Sequence, residues 1–286
     1  MCIFGAKVPE LNNSPIKAIA FDLDGTLLTS EKQITPRTIE MIRRIAGQGI
    51  LTVIATGRSL DTAIPYISDL ALTLPLICYN GACVRDMDRK VDLWHDTMSL
   101  EATRDILSIP RKPSVHLQLF IQHALYFEKG GEYADHLEPL SAQLGIVADF
   151  QSLPTQPLTK AMFIGPHDDT VGISQTITKH FPNTLDVVYS HPDYLEVMPA
   201  KINKGTALAR LLALYGITAE QTMAFGDGDN DLEMLTWAGH GVAMGNASPR
   251  VLAAVPRKTG RNNDEGVADY LESFFVPGTK FIPYSL

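Results

Sequence analysis

Five short, almost unbroken apolar runs along the chain each stop abruptly at a polar or glycine cluster. Residues 16–21 end at Asp22, residues 50–55 at Thr56, Gly57 and Arg58, and residues 74–79 at Asn80 and Gly81. Late in the chain, residues 222–225 end at Gly226 and Asp227, and residues 240–244 at Gly245 and Asn246. Runs that do not alternate with polar residues predict strands buried on both faces, as in a parallel sheet. Helical spacing fills the intervals. Thr35 offers an N-cap with Pro36 at the first helical position, Ile39, Ile42 and Ala46 follow at helical spacing, and Gly49 supplies a stop. A second helix carries Leu60, Ile64 and Ile67, with Pro65 in its first turns. A third spans residues 205–215, with Leu208, Leu211, Leu212 and Tyr215 on one stripe before Gly216, and another opens near Asp231. The fold class predicted is α/β: a doubly wound parallel sheet covered by helices on both faces, with ligands at the carboxyl ends of its strands.

Between residues 85 and 199 the rhythm changes. Alternating strand-like runs at 115–127 and 195–198, turn signals at Gly130, Gly131 and Pro166, and helical stretches at 101–108 and 131–144 predict an inserted α+β domain, a sheet with helices on one side. The expected division is thus a core of residues 1–84 and 200–286 and an insert of residues 85–199. Length agrees with two domains, since 286 residues at roughly 150 per domain is about two.

Composition narrows the class. Apolar residues make up 45% and charged residues 20%, an ordinary globular mix. Asp plus Glu number 32 against 24 Lys plus Arg, a formal charge of -8, which argues against general nucleic-acid binding because phosphate backbones are held by a basic field. Three cysteines are too few for a disulfide framework, no apolar stretch has the length of a membrane span, and the first residues lack the pattern of a signal peptide. The expectation is a cytoplasmic protein with neither membrane nor nucleic acid as partner. Cys78 and Cys83 read as buried structural thiols, the histidines as surface or core hydrogen-bonding groups.

Two sequence clusters carry candidate chemistry. Asp22 and Asp24, two apart at a strand end and followed by Gly25 and Thr26, would repel one another unless a hard cation such as magnesium sat between them. The competing reading is a turn and helix cap, which Asp and Thr both form well. Asp227, Asp229 and Asp231 have the spacing of a calcium loop, but Leu232 occupies its glycine position and Ala238 its bidentate glutamate position, which excludes it. Gly226 and Gly228 begin a dinucleotide fingerprint whose third glycine position is Asp231. Taken singly, Thr56 would be a helix N-cap and Lys204 a solvated lysine.

Together, in order, these segments resemble the four motifs of the haloacid dehalogenase superfamily. Residues 21–28 are similar to motif one, Ala55-Thr56-Gly57-Arg58 to motif two, Lys204 at the opening of its helix to motif three, and residues 226–231 to motif four. Tyr79-Asn80-Gly81-Ala82 and residues 241–247 resemble stretches of the Cof-type, type IIB members. The resemblance covers about residues 16–272 and is weakest in the insert. It implies a Rossmann-like core with an inserted type C2 cap, and a role for each matching residue. Asp22 would be the nucleophile and a magnesium ligand, and Asp24 the general acid and base, its main-chain carbonyl also facing the metal. Thr56, Gly57 and Asn230 would hold phosphate oxygens, Lys204 would screen the nucleophile from the incoming anion, Asp227 would bind magnesium directly and Asp231 indirectly. Lys201 is a less well-placed competitor of Lys204, and Asp229 reads as solvated.

The activity implied is magnesium-dependent hydrolysis of a small phosphorylated metabolite, a sugar phosphate or phosphorylated cofactor, through an aspartyl phosphate. A phosphomutase and a non-catalytic phosphometabolite sensor are the alternatives, the second disfavoured by the presence of both Asp22 and Asp24. Cap residues His191, Tyr194 and Glu196 are candidate leaving-group contacts, and a monomer or small homo-oligomer is expected.

Overall fold

A computed structural model describes residues 15–72, 74–128, 145–153 and 155–276. Strand β1 (Ala18–Phe21) is buried along its whole length. Helix α1 (Pro36–Ala46) starts on Thr35, whose hydroxyl accepts the Thr38 amide, a cap worth about 1 kcal/mol. It ends earlier than expected, at Gly47, while Gly49 takes a left-handed conformation in the turn that follows. Strand β2 (Leu51–Ala55) leads to helix α2 (Leu60–Ile67), which contains Pro65 and begins on Ser59, the Ser59 hydroxyl accepting the Thr62 amide at 3.3 Å. Ser59, not Thr56, therefore caps this helix. Strand β3 (Pro75–Cys78) is followed by a single 3-10 turn in which Tyr79 and Asn80 both have positive φ, at 50° and 53°.

The chain then departs from the expected all-parallel pattern. Strand β4 (Cys83–Asp86) turns back antiparallel on β3, pairing Cys83 with Cys78, and β5 (Val91–His95) follows it. This hairpin extends the core sheet beyond residue 84. Its turn lies among polar residues and lacks the glycine or proline punctuation from which a hairpin is read in sequence.

The central segment comprises α3 (Leu100–Ser108), β6 (His116–Ile121), β7 (Ala124–Glu128), β8 (Ile146–Ala148), β9 (Leu158–Ile164), α4 (His167–His180), β10 (Leu185–His191) and β11 (Tyr194–Pro199). Its six strands form one sheet in the order β10-β11-β9-β6-β7-β8, antiparallel but for the β7–β8 pair. Leu117, Leu119, Ala161, Phe163, Leu195 and Val197 share one face by the period-two alternation of strands, and pack with Ala102 and Ile106 of α3 and Ile173 and Ile177 of α4. Both described helices thus lie on one side of the sheet. The opposite face carries an ion pair, Lys160 to Glu196 at 2.8 Å. The helix expected at 131–144 falls outside the described residues.

Helix α5 (Lys204–Ala213) opens on a capping box between Asn203 and Thr206, which fixes Lys204 as its first residue. After it come β12 (Thr222–Gly226), α6 (Leu232–Trp237), β13 (His240–Ala243), α7 (Pro249–Ala254), β14 (Arg257–Lys258) and α8 (Gly266–Phe275). The core sheet has the order β14-β13-β12-β1-β2-β3-β4-β5, parallel from β14 to β3. Strand β1 is flanked by β2 and β12, so the order reverses there, at the position where sheets of this kind bind ligands beyond the carboxyl ends of their strands. Phe21 stacks on Phe225 across the two strands at 5.4 Å, fixing the level at which both chains leave the sheet. Helix α8 is tied to α1 by Arg37, which reaches Glu265, Asp269 and Glu272. Among the described residues, those up to Gly57, within Ile64–Leu93 and from Asn203 onward form one compact unit, and those within Arg58–Ala63 and Trp94–Ile202 the other. No helix among the described residues is long and apolar enough to cross a membrane.

Candidate active site

The polar ends of β1 and β12 meet at the reversal of strand order. The Asp22 amide still bonds the Phe225 carbonyl at 3.0 Å, and the next residues coil tightly, with the Thr26 and Leu28 amides both returning to the Leu23 carbonyl. Gly25 sits in this coil with φ +78°, and a Cβ on it would lie 2.2 Å from Asp227 Oδ2. Only glycine allows the two acidic loops to approach this closely.

Three carboxylates, Asp22, Asp227 and Asp231, each present an oxygen within 4.8 Å of the others. Lys204, fully buried at the start of α5, donates to Asp22 Oδ1 at 2.5 Å and to Asp231 Oδ1 at 2.6 Å. The other oxygen of Asp231 accepts the backbone amides of Asp227 and Gly228, each at 2.9 Å. Both oxygens of Asp231 are therefore engaged in holding the loop and the lysine. Asp227 is clamped from two sides: Thr26 Oγ1 donates to its Oδ1 at 3.2 Å, and Asn246 Nδ2 to its Oδ2 at 3.3 Å and to the Gly25 carbonyl at 2.8 Å.

Burial sets the electrostatics. Desolvation, then the neighbouring charge of Asp231, pushes the Asp227 carboxyl up to about 6. The same two causes raise Asp22 well above the usual carboxylate range, with Lys204 opposing them. Lys204 is displaced upward: burial disfavours its charge, but Asp22 and Asp231 together outweigh burial. One ammonium facing three carboxylates leaves the cluster with excess negative charge, and the donors are hard oxygens. Such a set of donors and charges could hold a hard divalent cation.

Asp24 is placed differently. Its carboxylate is not part of the cluster, and Lys32, from the loop after β1, donates to its Oδ1 at 2.6 Å, both side chains being partly exposed. Thr56 is buried at the end of β2, its amide bonded to the Ile77 carbonyl at 2.8 Å. Asn230 donates to Asn80 Oδ1 at 2.9 Å, and that oxygen lies 2.9 Å from where a Cβ on Gly57 would sit. The structure thus brings Asp22, Gly25, Asp227, Asp231 and Lys204 into one cluster and links Gly57 to Asn230 through Asn80. Lys201 is exposed, its amide on Asp186, and Asp229 is exposed with Ser248 and Arg250 beside it. Tyr194 and Glu196 lie on β11 in the other unit, with Glu196 bound to Lys160; the His191 side chain lies outside the description. Sequence reasoning assigned no role to Lys32, Asn80 or Asn246. Asn80 and Asn246 stood at the ends of apolar runs and within the family-like stretches, and those placements were their signal.

Comparison with known proteins agrees along nearly the whole chain. A family model of haloacid dehalogenase-like hydrolases matches residues 19–271. The HMP-PP phosphatase of Serratia proteamaculans is 32% identical over 259 residues, 88% of this chain and 93% of that protein. The 5-amino-6-(5-phospho-D-ribitylamino)uracil phosphatase of Bacillus subtilis is 30% identical over 261 residues, 90% of this chain and 97% of that one. Among solved structures, a haloacid dehalogenase-like hydrolase from Bacteroides thetaiotaomicron superposes with a TM-score of 0.83 at 29% identity, covering 91% of this chain and all of its own.

Proposed function

The chain belongs to the haloacid dehalogenase-like hydrolase family, and from that premise we propose that it is a magnesium-dependent phosphatase acting on a small phosphorylated metabolite. The relatives support the substrate class, since two of them are named as phosphatases, one of them for a phosphorylated ribitylaminouracil. The observation that carries the reading is the buried contact of Lys204 with Asp22 beside Asp227. An isolated buried carboxylate would be too costly to keep charged; Lys204 opposes the burial and the neighbouring acids that raise Asp22 and fixes its direction, and a cation bound beside it would favour its charged form further.

Asp22 attacks phosphorus as the bond to the leaving-group oxygen breaks, and Asp24 delivers a proton to that oxygen. Asp24 then takes a proton from water, the water oxygen attacks phosphorus, and the bond to Asp22 breaks, releasing phosphate and restoring protonated Asp24. Asp22, Asp227 and the Asp24 main-chain carbonyl would hold magnesium, which when bound offsets the phosphate charge against these acids. Asp231, with both oxygens engaged, orients Lys204 and the Asp227 loop. Lys204 neutralises Asp22 so that anion can approach anion. The Thr56 hydroxyl, the Gly57 amide and the Asn230 side-chain amide hold the non-reacting phosphate oxygens. Asp24 must part from Lys32 to work, and the partial exposure of that pair makes parting inexpensive.

The test is release of phosphate from p-nitrophenyl phosphate by the purified protein with magnesium, and its loss with chelator and in Asp22→Asn. Activity surviving the substitution would remove Asp22 from the role of nucleophile. A panel of phosphorylated sugars and cofactors ranked by kcat/KM then identifies the substrate.

A further inference from the structure

Asn80 belongs to none of the residues to which a catalytic part has been given, yet it touches two that have one. It follows β3 directly, and its backbone φ of 53° and ψ of 21° lie in the left-handed region, next to a second left-handed residue, Tyr79. Two consecutive non-glycine residues held there cost on the order of 1 kcal/mol each or somewhat more, less for asparagine than for most residues. This backbone turns the Asn80 amide onto the Thr56 carbonyl at 3.0 Å, locking it to the loop at the end of β2. It also aims the side chain across to motif four, where Asn80 Oδ1 accepts from Asn230 Nδ2 at 2.9 Å. The same oxygen fills the space that a Cβ on residue 57 would need. Asn230 is hemmed in on its other side as well, since its Oδ1 lies 2.5 Å from where a Cβ on Gly228 would sit.

We propose that Asn80 is a positioning residue for phosphate: its carboxamide oxygen takes one N–H of Asn230 and so presents the other N–H, in register with the Thr56–Gly57 loop, to a phosphate oxygen. The proposal rests on the phosphatase reading above. An amide free to rotate would have to be ordered when phosphate arrives, whereas one already held by Asn80 is preorganised, and affinity rises by the ordering cost avoided. Asn80 acts through Asn230, so the two side chains form one energetic unit and their losses should not add.

The experiment is a double-mutant cycle, Asn80→Gly, Asn230→Ala and the two combined, read by the inhibition constant of inorganic phosphate against p-nitrophenyl phosphate at saturating magnesium, and by calorimetric binding of phosphate with magnesium present. Glycine suits the left-handed backbone, so Asn80→Gly removes the acceptor without adding strain. We expect Asn80→Gly to weaken phosphate by about tenfold, the size of one positioned hydrogen bond, with a smaller effect on kcat. The double variant should bind phosphate no more weakly than Asn230→Ala alone. Unchanged phosphate affinity in Asn80→Gly, or losses that multiply in the double variant, would overturn the proposal. Asn80→Ala is the second route to the same cycle, and failure of both variants to fold would also overturn it, by showing that the carboxamide serves the fold. If instead the wild type neither hydrolyses p-nitrophenyl phosphate nor binds phosphate, it is the phosphatase reading that has failed.

Discussion

Lys204 Nζ lies 2.5 Å from Asp22 Oδ1, with the lysine fully buried and the aspartate nearly so. The positive charge beside Asp22 is therefore built into the fold and does not arrive with a ligand. Breaking a buried pair by removing one partner costs roughly 3–5 kcal/mol, because the remaining charge is stranded. Lys204→Met should lose about that much stability in a urea titration, and kcat/KM should fall by at least ~10²-fold. Adding Asp22→Asn to that variant should recover part of the stability and none of the activity.

Asp227 gives the metal-free protein a pH dependence of a definite sign. Its folded-state pKa of about 6 lies above the ordinary carboxyl value, so its contribution to stability is complete at low pH and is lost as pH rises through about 6. With chelator present, the melting temperature of Asp227→Asn should exceed that of the wild type at pH 7, and the difference should shrink toward pH 4. Magnesium should reverse the order, stabilising the wild type and leaving the variant unmoved. A variant less stable than the wild type at pH 7 without metal would contradict this account of the cluster.

Gly25→Ala tests the close approach of the two acidic loops. A methyl group there would collide with the Asp227 carboxylate at 2.2 Å on a backbone of φ +78°, so the loops must separate. The expected outcome is weakened magnesium binding by at least tenfold in calorimetry, together with a stability loss of about 1 kcal/mol or more from the left-handed strain alone.

Arg37→Ala should separate fold from function. Its guanidinium meets three carboxylates of α8 and the turn before it, yet it is 40% exposed and lies on the α1 surface. A network of this exposure is worth about 1 kcal/mol and is screened by salt. The variant should melt a few degrees lower in dilute buffer, by less in 0.5 M salt, and retain the wild-type kcat/KM.

The elements that build the site were legible because each joins a buried strand or a capped helix to a chemically distinctive end. Asp22, Thr56 and Asp227 were placed by the apolar runs that precede them, and Lys204 by the helix it opens. What could not be read was settled by loop backbone. Lys32 reaches Asp24 from a residue of positive φ, and Asn80 reaches Asn230 from another. Neither conformation leaves a trace in hydrophobic periodicity. Strands β4 and β5 were missed for a related reason: β4 turns back antiparallel on β3 through the left-handed turn at Tyr79 and Asn80, and the connection from β4 to β5 carries no glycine or proline. Asp231 shows the opposite case: its place in the motif was plain, but only the paired amide bonds to its Oδ2 reveal that it organises the loop.

The central position of β1 bears on how the protein is made. It can pair with β2 as soon as both are made, yet its other flank waits for β12, and Asp22 waits for a lysine 182 residues downstream. Through that interval the strand has a bare edge and Asp22 has no counter-charge. The cluster can therefore form only once synthesis has passed Lys204, and until then the open edge of the strand must be kept from aggregation.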